Sequence, residues 1–427
     1  MILIYSDITT TRLQYTCDFI FSEQLGTGYR LTNSVEDFIN HSGYKINYSN
    51  NRIGNSFFIR PHQLLFEQGI RQQNTSCIVK NEHTVFFSFT DSDFHFDIFA
   101  AIFYLLSRYE EYLPHEIDMY GRYAHGNSLA CKEGFLNKPL VNEWLIAFSE
   151  SLITAFPGIT LTHRSFTFLP TYDIDIAYSF KHKGLIRNLG GFIKSPSMER
   201  LMVLTGLKAD PFDSYSFMDR LHAVKKLSPV YFSLFATPVS LYDKNISPYS
   251  HAMWQLIKRH SAKYKLGLHP SWRSYGNLPV LKKEKKIMET AGKKEIQLSR
   301  QHYIKLSLPQ TYRMLLETGI QKDFSMGYGS INGFRASVAS SFYWYDLGRE
   351  KITTLRIYPF CFMDANSFYE QRQDTSKSLE ELLYYMDTCK KVNGLFITIF
   401  HNNFLGNDEQ FAGWKELYTG FISQVQG

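Results

Sequence analysis

Cysteine is scarce in this chain. Cys17, Cys77, Cys131, Cys361 and Cys389 are odd in number, scattered and without a C-x-x-C pair. That spacing excludes a disulfide framework and a zinc ribbon, and it fits a reducing compartment. Charge of one sign is scarce as well: 46 Lys and Arg stand against 40 Asp and Glu, a net of +6, with no dense basic tract of the kind that binds nucleic acid. The densest run, Lys282-Lys-Glu-Lys-Lys286, lies between Leu281 and Ile287 and reads as a solvated helix face. No apolar run approaches a membrane span, so no transmembrane segment is expected. The N-terminus, MILIYSDITTTRLQY, reaches Asp7 before a hydrophobic region of useful length forms, which argues against a secretory signal. Together these absences predict a cytoplasmic, soluble protein that does not bind nucleic acid.

Apolar and aromatic residues, by contrast, are plentiful. The hydrophobic share is 44%, enough for a sizeable core, and 35 Phe with 28 Tyr bring the aromatic share to 16%. Aromatics pack cores and also serve as platforms for sugar rings. Residues 1–160 read as an α+β accessory domain. Short alternating stretches such as Arg12 to Ile20 and Thr84 to Phe89, separated by turn formers, predict small β-hairpins. A buried helix is expected from Asp97, capped by Asp93 or Asp97 and ended by Pro114, and a second from Pro139 to Ile153.

From Phe166 onward apolar strands alternate with helices, which implies right-handed βαβ crossovers and a parallel sheet. Six or seven such units over residues 161–427 predict an α/β fold and are enough to close, or nearly close, a distorted, seven-stranded (β/α) barrel. In parallel sheets the ligand site lies beyond the strand C-termini. Asp173 and Asp175, in Thr171-Tyr-Asp-Ile-Asp-Ile-Ala-Tyr178, stand two apart and so project from one face of a strand end. His269, Arg300, His302 and His401 also lie at or just past strand ends. Two His and one Asp suit zinc or a similar divalent metal with a coordination position left open for water. Such a metal acidifies water and polarises a carbonyl, the two requirements of amide or ester hydrolysis near neutral pH. A second carboxylate could then act as base, and a His across the site could protonate the leaving amine.

On the segments Gly267-Leu-His-Pro-Ser271, Arg300-Gln-His-Tyr303, Gly333-Phe-Arg335 and Gly394 to His401, the region from Phe166 resembles the polysaccharide deacetylases of carbohydrate esterase family 4, the NodB-homology fold. It is closest to a divergent branch with an extra N-terminal domain. The resemblance implies Asp173 as catalytic base, Asp175 and His269 as metal ligands, Arg300 as the residue that orients the base, and His401 as general acid. The family's H-x-x-x-H motif is matched only at its first His, because Arg273 occupies the second place. Two readings follow. Either His302 replaces the missing ligand, or metal is weakly held or absent and the domain is a sugar-binding pseudoenzyme.

Arg335 is a candidate for holding a substrate anion or carbonyl, against a structural ion pair with Asp346 or Asp364. Trp272 and Tyr303 are candidate sugar platforms, against core packing. The expected activity is metal-dependent removal of an acyl group, acetyl by the resemblance, from an amino sugar or glycan intermediate. A glycan-binding protein that keeps the fold is the alternative. A third reading makes the N-terminal region an interaction module around Tyr109-Glu-Glu-Tyr112 and Asp118-Met-Tyr-Gly-Arg122, residues that could instead form a seam against the barrel.

Overall fold

The structure is a computed structural model and describes residues 1–80, 82–162, 164–237 and 240–425. It opens with β1 (Ile2–Tyr5), α1 (Thr11–Cys17), β2 (Tyr29–Thr32), α2 (Val35–Asn40), β3 (Tyr44–Asn47) and β4 (Phe57–Phe58). These strands form one parallel sheet in the order β2-β1-β3-β4, not the expected hairpins. The stretch from Arg12, read as a strand by its alternation, is α1 continued by a π-helical segment, Asp18–Gln24. Its buried residues Leu13, Cys17, Ile20 and Phe21 recur at helical spacing, and the Thr10 side chain caps the start by accepting from the Leu13 amide. Antiparallel pairing does occur later in this region, between β5 (Ile78–Lys80) and β6 (His83–Val85) and at the bridge of Ser88 with Phe96.

Helices α3 (Ile98–Leu106), α4 (Leu129–Lys132) and α5 (Leu140–Ala155) follow. Asp97 caps α3 through the Ala100 amide at 3.0 Å. Every residue of α3 is buried, consistent with its unbroken apolar sequence.

The second half alternates β7 (Thr167–Ile174), α6 (Leu185–Lys194), α7 (Met198–Leu204), α8 (Tyr215–Lys225), β8 (Val230–Leu234), α9 (His251–Lys263), β9 (Lys265–His269), α10 (Leu278–Gly292), β10 (Leu298–Ser299), α11 (Gln310–Glu317) and β11 (Lys322–Asp323). After the antiparallel pair β12 (Phe342–Asp346) and β13 (Lys351–Ile357) come β14 (Phe362–Met363), α12 (Thr375–Lys391), β15 (Leu395–His401) and α13 (Trp414–Gln424). They build one nine-stranded sheet, β12-β13-β11-β10-β9-β8-β7-β15-β14, parallel except at β12.

The sheet is open, which corrects the seven-stranded barrel. Among the described residues β12 and β14 stay at opposite edges and do not pair. The physical reason is at β12, where the chain reverses into an antiparallel edge that the N-terminal region covers. The Tyr15 hydroxyl donates to the Tyr343 carbonyl at 2.7 Å, the Tyr15 and Tyr345 rings lie 5.3 Å apart, and Arg12 pairs with Glu350. One contiguous apolar core runs from Ile2 in β1 to Ile422 in α13.

Because the strands are parallel, the C-terminal ends of β7, β9, β10, β14 and β15 lie along one edge of the sheet. Register sharpens the placement: His401 on β15 stands opposite Asp173 on β7. Gly267 on β9 lies under the Phe232 ring, so a Cβ there would come within 2.3 Å of that ring. Phe232 in turn supports the Arg300 guanidinium, 4.4 Å above it. Gly267→Ala is therefore expected to lower stability by about 1–3 kcal/mol, seen as a lower urea midpoint. An unchanged midpoint would mean the ring has room to yield.

Candidate metal centre

A cavity of about 420 Å³ opens at this edge, lined among others by Tyr120, Arg122, Asp173, Asp175, Tyr242, His269, His302, Tyr303 and His401. A larger cleft, about 960 Å³, lies in the N-terminal region around Arg52, Asp93 and Trp144. Size does not decide between them, because the strand-end carboxylates and histidines line only the smaller one.

Asp175 is the centre of the arrangement. Its Oδ1 lies 3.0 Å from His269 Nε2, and its Oδ2 lies 3.4 Å from His302 Nε2 and 3.5 Å from His401 Nε2. Each imidazole is held from behind through its other nitrogen. His269 Nδ1–H donates to the Arg300 carbonyl at 2.6 Å, His302 Nδ1–H to Asp243 at 3.0 Å, and His401 Nδ1–H to Asp364 at 2.6 Å. An acceptor behind Nδ1 fixes each ring and aims its Nε2 into the cavity, the usual support for a metal-ligating histidine.

Donor atoms of Asp175, His269 and His302 all lie within 4.8 Å of one another and could hold a metal ion. The donor set, two imidazole nitrogens and a carboxylate, suits zinc. One further observation fits a cation: Asp175 Oδ1 is buried and receives no hydrogen bond. A buried carboxylate oxygen left that way is costly unless a positive charge faces it.

Electrostatics follow from these contacts. Burial alone would push the Asp175 carboxyl up, but the His302 and His269 rings outweigh it and hold it well below the usual carboxylate range. Burial pulls His302 down, but the Asp175 carboxylate, then Asp243, raises it to about 9. His401 is raised to about 10 against its burial, by Asp364 first and Asp175 next.

Asp173 lies beside this cluster and is tied differently. Arg300 Nη1 donates to its Oδ1 at 2.7 Å, and His269 Nε2 is 3.9 Å from its Oδ2. Arg300 is wholly buried; its Nε donates to the Phe324 carbonyl at 3.0 Å. The guanidinium is thereby fixed in plane, and so is the carboxylate it holds.

Asp173, Asp175, His269, Arg300, His302 and His401 thus converge. Arg273 does not: it is exposed on the Trp272–Ser274 turn. His302 reaches the cluster from a 3-10 turn, His302–Ile304, and not from a strand as its spacing from Arg300 suggests. Tyr303 and Ile304 follow it in the left-handed region, φ 57° and 52°, a conformation that non-glycine residues adopt at some cost. Arg122 Nη1 braces that turn by donating to the Tyr303 carbonyl at 2.8 Å.

Two substrate-binding expectations need correction. Arg335 is buried and outside the cavity, bidentate to Glu111 at 2.8 and 2.6 Å; Asp346 and Asp364 are taken by Arg313 and His401. Trp272 has both ring faces covered, one by Tyr242 stacked at 4.1 Å and the other by Lys305 Nζ at 3.5 Å, so it offers no platform. Tyr242 and Tyr303 both line the cavity.

Sequence reasoning missed Asp243, Tyr120, Arg122 and the pairing of Asp364 with His401. Asp364 follows β14 directly, so the rule applied to the other strand ends finds it. Asp243 sits in an irregular connection, where no periodicity marks it, yet its Oδ1 braces both His302 and the Trp272 amide, the latter at 2.9 Å.

A family described as of unknown function, DUF7033, matches residues 2–157. No curated protein matches the chain. Among solved structures, the chain is similar to the polysaccharide deacetylase Bc1974 from Bacillus cereus, with 9% identity over 61% of this chain and 88% of that one and a TM-score of 0.32. It is also similar to the PuuE allantoinase, with 10% identity over 60% of this chain and 83% of that one and a TM-score of 0.37. Identities and TM-scores of this order leave function to be read from the site's own geometry.

Proposed function

We propose that the protein is a metal-dependent hydrolase that removes an acyl group, acetyl in the first instance, from an amino sugar or glycan intermediate. The observation that carries this reading is the convergence of three differently held groups on one cavity: the Asp175, His269 and His302 donor set, the Asp173–Arg300 pair and the His401–Asp364 pair. A divalent ion, zinc by the donor set, would be held by Asp175, His269 and His302 and would supply Lewis acidity.

The chain's own residues divide the remaining work. Asp173 takes the proton from the attacking water, and Arg300 keeps its carboxylate aimed at the cavity. His401, kept protonated by Asp364, gives a proton from Nε2 to the leaving nitrogen or oxygen as the bond to the acyl carbon breaks. Tyr242, Tyr303 and Tyr120 offer rings for sugar contact along the wall.

The test is to load the full chain with zinc and measure acetate released from N-acetylated and O-acetylated oligosaccharides. A chain that binds one equivalent of metal and releases no acetate from any of them would overturn the hydrolase reading. The brace behind His302 gives a separate check. Asp243→Asn should weaken zinc binding about 10–100-fold, measured by competition with a chromophoric chelator. Unchanged affinity would remove His302 from the ligand set.

A further inference from the structure

The long connection between β7 and β8 contains a helix turned the wrong way round for a soluble protein. No residue of α6 is buried. Four of its large apolar side chains are among the most exposed of the chain, Leu185 and Ile186 at 89%, Ile193 at 74% and Leu189 at 63%, while Phe192 is half-buried. At helical spacing these four fall within an arc of about 100°, one continuous face. The polar side of the helix is the anchored one. Arg187 donates to the Lys244 and Asn245 carbonyls at 2.8 and 2.9 Å, and Asn188 Nδ2 to the Phe180 carbonyl at 3.0 Å. Helix α7 continues the patch with Met198, 71% exposed, and Leu207 lies just beyond it at 78%.

Charge singles out the same segment. Residues 181–208 carry six Lys or Arg against a single acid, Glu199, so these residues hold nearly all of the chain's net +6. Glu199 is itself paired with Lys208. An outward apolar face bordered by cations is the pattern of a helix that lies in a lipid headgroup layer, where the apolar side enters the acyl boundary and the cations meet phosphates. A second protein would bring polar partners for an interface rim, but the excess of cations here calls for a surface dense in anions.

We propose that α6 and α7 dock the protein on the surface of a bilayer bearing anionic phospholipids. The inference does not depend on the hydrolase reading. It bears on it through one contact: Arg187 grips the backbone of Lys244, a residue that lines the metal-centre cavity, so docking sets the mouth of that cavity beside the membrane surface.

The experiment is co-sedimentation of the full chain with vesicles of phosphatidylglycerol and phosphatidylcholine in equal parts, and with vesicles of phosphatidylcholine alone. Binding is expected to the first, to weaken with added salt, and to be at least about tenfold weaker to the second. The triple variant Leu185→Ser, Ile186→Ser, Ile193→Ser touches no core residue and should bind the mixed vesicles at least about tenfold more weakly with an unchanged urea midpoint. The double variant Lys181→Gln, Lys194→Gln should lose part of the binding and of its salt dependence. Failure of the wild-type chain to bind the mixed vesicles, or equal binding to both kinds, would overturn the proposal. So would a dimer in solution that the triple variant dissolves while vesicles bind nothing, since the face would then belong to a second copy of this chain.

Discussion

Asp173→Asn is expected to cut acyl hydrolysis by about 10²–10⁴-fold while zinc stays bound at one equivalent, the range in which a positioned general base contributes. The substitution keeps the shape and the Oδ1 acceptor for Arg300, so the fold around the pair has no reason to change. What it removes is the ability to take a proton. Asp175→Ala is expected to behave differently, losing metal and activity together, because its two oxygens face all three imidazoles. Its loss of zinc affinity should exceed the about 10–100-fold that removing a supporting group such as Asp243 costs. The pair of variants therefore separates two jobs that neighbouring carboxylates perform. Metal content by elemental analysis and acetate release, measured on the same preparations, give the result. If Asp173→Asn loses the metal, or Asp175→Ala keeps it, the assignment of base and ligand is reversed.

Much of this site was legible in the sequence because parallel strands expose it. Asp173, Asp175, His269 and His401 all sit at the ends of apolar runs, and a parallel sheet carries such ends to one edge whatever else the chain does. The alternation of strands and helices from Tyr215 onward was legible for a similar local reason, helical stretches recurring between apolar runs, whereas the caps Ser250 and Asp374 emerge only in the structure. Two kinds of information were not local. Whether β14 closes onto β12 depends on what covers the β12 edge, and that cover comes from Tyr15 and Arg12, more than 300 residues away in sequence. Likewise, Asp243 and Arg122 act on the site from irregular segments, where neither period nor cap distinguishes a brace from a surface charge. The first strands failed for another reason. An alternation over a few residues is shared by a strand and by a helix whose polar positions are themselves buried, as Arg12 and Thr16 are.

Glu111→Ala is expected to destabilise the protein by about 3–5 kcal/mol, the cost of leaving buried charge without its partner. Glu111 is 4% exposed and joins two guanidiniums. Arg108 Nε donates to its Oε1 at 2.8 Å, and Arg335 holds both oxygens from the second half of the chain. The Tyr109-Glu-Glu-Tyr112 segment thus makes a buried charged contact with the region of the larger sheet. Burial alone would raise the Glu111 carboxyl, but Arg335, then Arg108, overcomes it and lowers the group from 4.5 to about 2. A carboxylate whose folded value lies below its unfolded one stabilises above the unfolded value and loses that contribution as pH falls through the folded value. The contribution, on the order of 3 kcal/mol, is accordingly complete above about pH 5 and fades between there and pH 2. Glu111→Gln, which cannot titrate, should show a lower urea midpoint than the wild-type chain at neutral pH, with the gap narrowing as the pH approaches 2. Equal midpoints at pH 7, or a gap that does not change between pH 7 and pH 3, would mean that the two arginines find other partners when Glu111 is lost. The contact between the two halves would then rest on their shared apolar core and on the other polar links, such as Arg12 with Glu350 and Tyr15 with Tyr343.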